Sequence, residues 1–266
     1  KAFYIWILFL NLYIDDDLIK KFSIIIPARL KSTRYPNKLF EKINNIPILE
    51  HVRRRALLVG NSEVYVASSD IKIINYVLKN KGKIIRTKKR HFNGTSRAAE
   101  AVEKIKSKYI IILQADEPLI NPREIQLFMN FISESNKHYY NCVGVVKNKE
   151  MEDISVVKSY IDQGKIIECF RNIRSNKKYK NYKISKLFGL IGFERKALIN
   201  LNKKERTHNE KKYKIEQIKI VDHNLPLYSF FIKGTTTSVN YKRDLIKVKR
   251  EFNHSKLQQR ILKKIL

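Results

Sequence analysis

Phe22-Ser23-Ile24-Ile25-Ile26-Pro27-Ala28-Arg29 is a short β-branched run stopped by a proline and followed at once by a cation. Its isoleucines are consecutive, so both faces of the strand need covering, and Pro27 sends the chain into a loop. The same unit recurs downstream. Apolar residues at helical spacing over Ile46 to Val59, with Pro47 suited to a first turn and Gly60 just past the end, predict a helix. Val64-Tyr65-Val66-Ala67 is the next strand, Asp70 is placed to cap a helix through Lys79, and Lys83-Ile84-Ile85-Arg86 is another strand. A helix over Thr95 to Lys106, the apolar strand Tyr109-Ile110-Ile111-Ile112-Leu113 and a helix from Pro122 toward Ser133 follow. Apolar strands separated by helices predict an α/β, Rossmann-like fold with a mostly parallel central sheet and helices on both faces.

Past Asn141 the pattern predicts strands at Cys142–Val146, Val156–Ile161, Ile166–Phe170, Leu187–Phe193 and around Tyr228–Ile232. Helices are expected near Glu210–Val221 and from Tyr241, with a polar, lysine-rich loop from Asn172 to Lys183. Residues 22–253 then form one domain, and 254–266 a basic helical tail. The apolar stretch from Lys1 to Tyr13, followed by Asp15-Asp16-Asp17, belongs to an extension over 1–21 that is set aside from the fold. It is shorter than the roughly 20 apolar residues a membrane span needs, so no membrane partner is expected.

Lys and Arg outnumber Asp and Glu by 55 to 25 over 266 residues, a formal charge of +30. Such an excess invites a nucleic-acid reading. The lysines are spread from end to end, however, and a drift in composition explains them as well as a binding surface does. Cys142 and Cys169 are far apart in the sequence and without a C-x-x-C spacing, so neither a disulfide framework nor a zinc site is indicated, and a reducing, cytoplasmic compartment fits. The six histidines show no H-x-x-x-H pairing.

In an open parallel sheet, ligands bind beyond the carboxyl ends of the strands. The loop after the first strand, Pro27 to Lys38, carries four cations and no carboxylate, which suits a phosphate chain or a solvated basic turn. No glycine-rich phosphate loop exists in the chain, so phosphate would depend on side-chain cations. The loop His91-Phe92-Asn93-Gly94-Thr95-Ser96-Arg97 suits a nucleotide at a helix start, or an ordinary N-terminal cap. Gln114-Ala115-Asp116-Glu117-Pro118 places acids directly after an apolar strand, as a hard cation needs, although Asp116 could equally cap a turn.

Taken together and in order, these three loops carry a family resemblance. Pro27-Ala28-Arg29-x-x-Ser32-Thr33-Arg34-x-Pro36-x-Lys38 resembles the P-A-R-x-x-S-T-R-x-P-G-K signature of the 3-deoxy-manno-octulosonate cytidylyltransferases, the CMP-KDO synthetases. His91-x-x-Gly94-Thr95-x-Arg97 is similar to that family's H-x-S-G-T-[DE]-R, and Gln114 to Ile120 to its Q-G-D-E-P-x-I. Gly189-x-x-Gly192-Phe193 resembles G-I-Y-G-Y, and Ile215-Glu216-Gln217-Ile218-Lys219 resembles L-E-Q-L-R, so the likeness runs from about Phe22 to Val248. The resemblance implies transfer of CMP from CTP to the anomeric hydroxyl of a sugar acid, with release of pyrophosphate. It also implies Mg²⁺ as cofactor, CTP and a sugar acid as partners, and a homodimer that takes no nucleic acid.

Carried over by position, Arg29, Lys38 and Asp116 are the catalytic set. Pro27, Ala28, Arg29, Lys38, Thr87, Gly94, Thr95 and Arg97 would bind nucleotide, and Gln114, Glu216 and Gln217 would face the sugar. Asp116 and Asn240 would hold the metal. Asn240 stands where the family has an aspartate, and Leu187 and Ile191 stand where it has His and Tyr. Asn37 and Ala115 replace glycines and Ser96 replaces an acid. These departures admit a related acceptor such as a nonulosonic acid, or a weakly active diverged copy. A basic nucleic-acid-binding protein is the rival from another class.

Overall fold

The computed structural model describes residues 21–172, 179, 181–234 and 237–266. The extension at 1–20 and most of the loop from Asn172 to Lys183 lie outside the described residues. The first half runs β1 (Phe22–Pro27), a hairpin of β2 (Lys42–Ile43) and β3 (Ile46–Pro47), α1 (Ile48–Leu57), β4 (Glu63–Ser68) and α2 (Ile71–Lys79). It continues with β5 (Lys83–Arg86), α3 (Gly94–Ala101), β6 (Tyr109–Leu113) and α4 (Pro122–Ser135). The second half is β7 (Tyr139–Val145), α5 (Asn148–Met151), β8 (Lys158–Asp162), β9 (Lys165–Phe170), β10 (Ile184–Glu194) and α6 (Arg195–Lys203). Then come α7 (His208–Tyr213), α8 (Ile218–Asp222), β11 (Leu227–Phe231), α9 (Lys242–His254) and α10 (Lys256–Ile265).

Among the described residues the main sheet has nine strands in the order β5-β4-β1-β6-β10-β7-β11-β9-β8. The four strands β5, β4, β1 and β6 are parallel, as their apolar runs predict. Residues of β6 divide between two hydrophobic clusters, Ile111 and Leu113 on one face and Ile110 and Ile112 on the other. Helices cover both faces, and this is why these strands show no polar alternation.

A mostly parallel sheet is the expectation that the second half corrects. There β10 runs antiparallel to β6 and β7, β9 runs antiparallel to β11 and β8, and only β7 and β11 pair in parallel. β8 also pairs with β10, so β10, β7, β11, β9 and β8 close into a barrel-like ring. Connection length is the physical reason. β8 and β9 are joined only by Gln163 and Gly164, at φ 45° and 77°, and a two-residue turn of that hand forces antiparallel pairing. β10 serves both halves because its register shifts between Leu187 and Ile191, a break that bends a strand.

Three local expectations also change. Ile46 and Pro47 form a strand before α1 rather than its first turn. The helix expected over Glu210–Val221 is two, because Lys214 turns left-handed at φ 52°. The terminal helix breaks at Ser255, whose side chain accepts from the Gln258 amide and starts α10. The stretch 254–266 is helical and packs into the domain's main cluster through Ile261, Leu262 and Ile265. Gln258 Nε2 donates to the Leu119 carbonyl at 3.0 Å, and Arg54 Nη1 to that of Ile265 at 2.6 Å.

Phe252 on α9 is fully buried against the His51 ring and beneath the Arg55 guanidinium. Burial lowers Arg55 to a pKa of about 10, while its Nη1 donates to the Ile120 carbonyl. Truncating Phe252 leaves a cavity under a buried charge, so Phe252→Ala is expected to lose about 3–5 kcal/mol in urea unfolding.

Candidate active site

Strand order brings the loops after β1, β5 and β6 to one edge of the sheet, and glycine lets them touch. A Cβ on Gly94 would stand 2.9 Å from Gln114 Nε2 and 3.2 Å from Pro27 Cγ, so all three loops meet at this residue. The first loop is also tied sideways. Asp70 makes no cap for α2; its Oδ2 accepts instead from the Leu30 amide at 2.8 Å, fixing the residue after Arg29. Asn37 takes the left-handed conformation, φ 56°, directly before Lys38, a backbone that asparagine tolerates.

Lys38 spans the loops. Its ammonium donates to Asp116 Oδ2 at 2.5 Å and to the Val239 carbonyl at 2.7 Å. The Val239 amide in turn donates to the Asp116 carbonyl at 2.9 Å, which brings Asn240 beside the acidic loop. Glu117, only 3% exposed, accepts from the Ser238 hydroxyl at 2.5 Å and from the Gly189 amide at 3.3 Å.

A second cluster lies around α3. Arg97, 3% exposed, donates to Thr87 Oγ1 and to the Lys88 carbonyl. Burial lowers its pKa, Asp70 opposes that shift, and nearby Arg29 adds to it. Arg29 is exposed at the end of β1, in electrostatic range of Arg97. Glu100 fixes the loop by accepting from the Lys88 amide and by pairing with His91 at 2.7 Å. Burial and then Arg97 lower the His91 pKa against the pull of Glu100. Ser96 closes a capping box with Asn93.

Glu216 joins the second loop to the third: Oε2 accepts from the Thr95 amide at 2.9 Å and Oε1 from Gln114 Nε2 at 2.8 Å. Burial raises its carboxyl above the usual range, and the Thr95 bond partly offsets this. Gln217 points the other way. It is 8% exposed, and its Nε2 donates to Asn141 Oδ1 at 2.9 Å, while Asn141 Nδ2 bonds the Phe188 carbonyl at 3.1 Å. Leu187 and Ile191 are core residues, 8% and 1% exposed, in the cluster of Ile110 and Ile112.

The structure thus joins Lys38 to Asp116 beside Asn240, Arg97 to Thr87 near Arg29, and Gln114 to Glu216 and Thr95. Sequence reasoning missed the tethering roles of Asp70, Glu100 and Ser238, whose partners are distant in the chain. Glu117 lay within a quoted motif without a role. Among the described residues no three His, Cys, Asp or Glu side chains gather as a self-sufficient metal site. No helix among them is long and apolar enough to cross a membrane.

Cations and carboxylates at the carboxyl edge of a mixed α/β sheet, on loops that meet at a glycine, suit the chemistry of a nucleotidyltransferase. The profile of the Cytidylyltransferase family matches residues 23–228, and the chain belongs to that family. Among curated proteins it is 30% identical over 231 residues to the 3-deoxy-manno-octulosonate cytidylyltransferase of Rickettsia prowazekii (strain Madrid E), covering 85% of this chain and 92% of that one. The protein of the same name from Escherichia coli is 28% identical over 245 residues, covering 86% and 95%. Among solved structures, CMP:2-keto-3-deoxy-manno-octonic acid synthetase complexed with CTP superimposes with a TM-score of 0.79 at 26% identity, covering 88% of this chain and 98% of that one.

Gly94→Ala is expected to push the Gln114 amide off Glu216 and to lower kcat/KM for CTP about tenfold or more, because small misplacements at a reacting centre are costly. Circular dichroism should stay that of the folded protein, and unchanged kinetics would separate the three-loop junction from function.

Proposed function

We propose that the protein transfers CMP from CTP to the anomeric hydroxyl of a 3-deoxy-octulosonic sugar acid, for cell-surface polysaccharide synthesis. The observation that carries this reading is the Lys38 ammonium held between Asp116 and Val239 at the junction of the phosphate-type loop and the acidic loop, in a chain of the cytidylyltransferase family.

In the reaction the anomeric hydroxyl gives its proton to solvent as its oxygen attacks the α-phosphorus of CTP, the bond to the bridging oxygen breaks, and pyrophosphate leaves with the electron pair. Lys38 and Arg29 are the side chains to hold the triphosphate and offset charge developing on it. Pro27, Ala28, Thr87, Gly94, Thr95 and Arg97 make the nucleotide bed. Thr87 and Arg97 stiffen each other, and burial of Arg97 strengthens its field. On the sugar side, Gln114 and Glu216 act as one hydrogen-bonded pair. Gln217 contributes from behind, through Asn141.

Magnesium fits the donors present. Asp116 offers a carboxylate and Asn240 an amide oxygen, on segments joined by the backbone bond between Val239 and Asp116. Magnesium takes a few protein oxygens and shares the rest with substrate phosphates, whose charge it neutralises when bound. Asn240 brings no charge, so the charge that would hold the ion would come from Asp116 and the nucleotide. The burial of Leu187 and Ile191 in the core favours a second reading of the acceptor, as a nonulosonic acid, since those positions offer it no polar contact. A cytoplasmic homodimer completes the proposal, and sedimentation of the full chain checks the dimer.

Pyrophosphate release from CTP, UTP, GTP and ATP with a panel of octulosonic and nonulosonic acids tests the reading. CTP with an octulosonic acid is expected to give turnover, and release with none of these pairs would refute it. Lys38→Ala is expected to cut turnover about a hundredfold or more while the protein stays folded, the usual cost of losing one electrostatic contact to the transition state. Asn240→Asp should lower the magnesium concentration that gives half-maximal rate. An unchanged concentration would remove residue 240 from the metal shell.

A further inference from the structure

Segment 238–240 is anchored at three points, two on the acidic loop and one on Lys38 of the first loop, and they differ in kind. Val239 N donates to the Asp116 carbonyl, Val239 O accepts from Lys38, and the Ser238 hydroxyl donates to Glu117 Oε1 at 2.5 Å. The first anchor is backbone and the second uses a side chain needed for chemistry. Only the third is made by a side chain outside the catalytic set. The same Glu117 oxygen accepts from the Gly189 amide at 3.3 Å, at the irregular stretch of β10 between Leu187 and Ile191. A Cβ on Gly189 would lie 2.9 Å from that oxygen, so β10 must approach as bare backbone. Glu117 therefore holds the barrel-like half and the C-terminal segment on one buried atom, one residue from Asp116.

We propose that Glu117 is a positioning residue: through Ser238 it sets the spacing between Asp116 and Asn240. This rests on the assignment of those two residues to the metal. A buried acceptor fixes the hydroxyl that donates to it. Ser238 is two residues before Asn240, whose amide is held from the other side by Asp244 Oδ2 at 3.0 Å, so freeing Ser238 loosens one of the two sides from which residue 240 is held.

The test uses the full chain with CTP and no sugar acid, with Mn²⁺ as a paramagnetic probe read by water-proton relaxation of the ternary complex. In that complex Ser238→Ala and Glu117→Ala are expected to weaken Mn²⁺ binding about tenfold, the usual scale for an outer-shell partner of a ligand, and in a separate assay with the sugar acid added to lower kcat. KM for CTP should change less than kcat, because the nucleotide bed lies on other loops. Glu117→Gln keeps a carbonyl oxygen for Ser238 and Gly189, so it should recover most of the loss. Wild-type Mn²⁺ binding in Ser238→Ala overturns the proposal even where Glu117→Ala does not fold. Losses of equal size in Glu117→Gln and Glu117→Ala also overturn it. Asp116→Asn tests the underlying assignment separately: relaxation equal to wild type would sink the metal reading, whichever way the Glu117 variants behave.

Discussion

One ammonium group crosses the molecule. Lys38 comes from the turn after the first strand, Asp116 from the loop after the sixth, and Val239 from a segment just before the last two helices, and a single Nζ touches both of the others. The side chains of Lys38 and Asp116 are 12% and 23% exposed, deep enough for water to screen the pair poorly and shallow enough for a ligand to reach it. Such a contact demands that the sheet, the turn at Asn37 and the C-terminal segment all be correctly placed. Much of the surrounding structure serves that demand: the left-handed Asn37, the Val239 backbone bond and the Ser238–Glu117 bond each remove one freedom from a participant.

Around this centre, acids act as ties between loops as much as reagents. Asp70 holds the amide of Leu30, Glu100 holds that of Lys88, and Glu216 holds that of Thr95. Each carboxylate accepts a backbone N–H from a loop that would otherwise be a string of cations. In a chain of +30 this is an economical use of few acids, since every bond both satisfies a loop amide and offsets local repulsion. Glu216 shows the cost, because burial raises its carboxyl and its bonds from Thr95 only partly offset that.

The parallel half was legible because β1, β4, β5 and β6 carry consecutive apolar residues and are separated by helical patterns, so local sequence and global packing agree. The barrel-like half was not. Strands β7 to β11 also read as strands, but their pairing depends on a two-residue turn at Gln163-Gly164 and on a register break inside β10. Neither changes which residues are apolar, and apolar pattern is what a sequence displays. The helix split at Lys214 and the break at Ser255 are of the same kind: a single dihedral or cap decides them, and periodicity averages over it.

For the site, the sequence by itself determined which residues carry charge and which loops bear them, because position after an apolar strand fixes the edge of the sheet where a loop emerges. It also fixed Asn37 as a residue able to take a glycine's conformation. Tertiary structure alone decided the pairings: Lys38 on Asp116, Gln114 on Glu216, Gln217 turned inward to Asn141, and Leu187 with Ile191 sunk in the core. The physical reason is separation along the chain. Lys38 and Val239 are 201 residues apart, and a bond over that distance exists only after every intervening strand has chosen its neighbour.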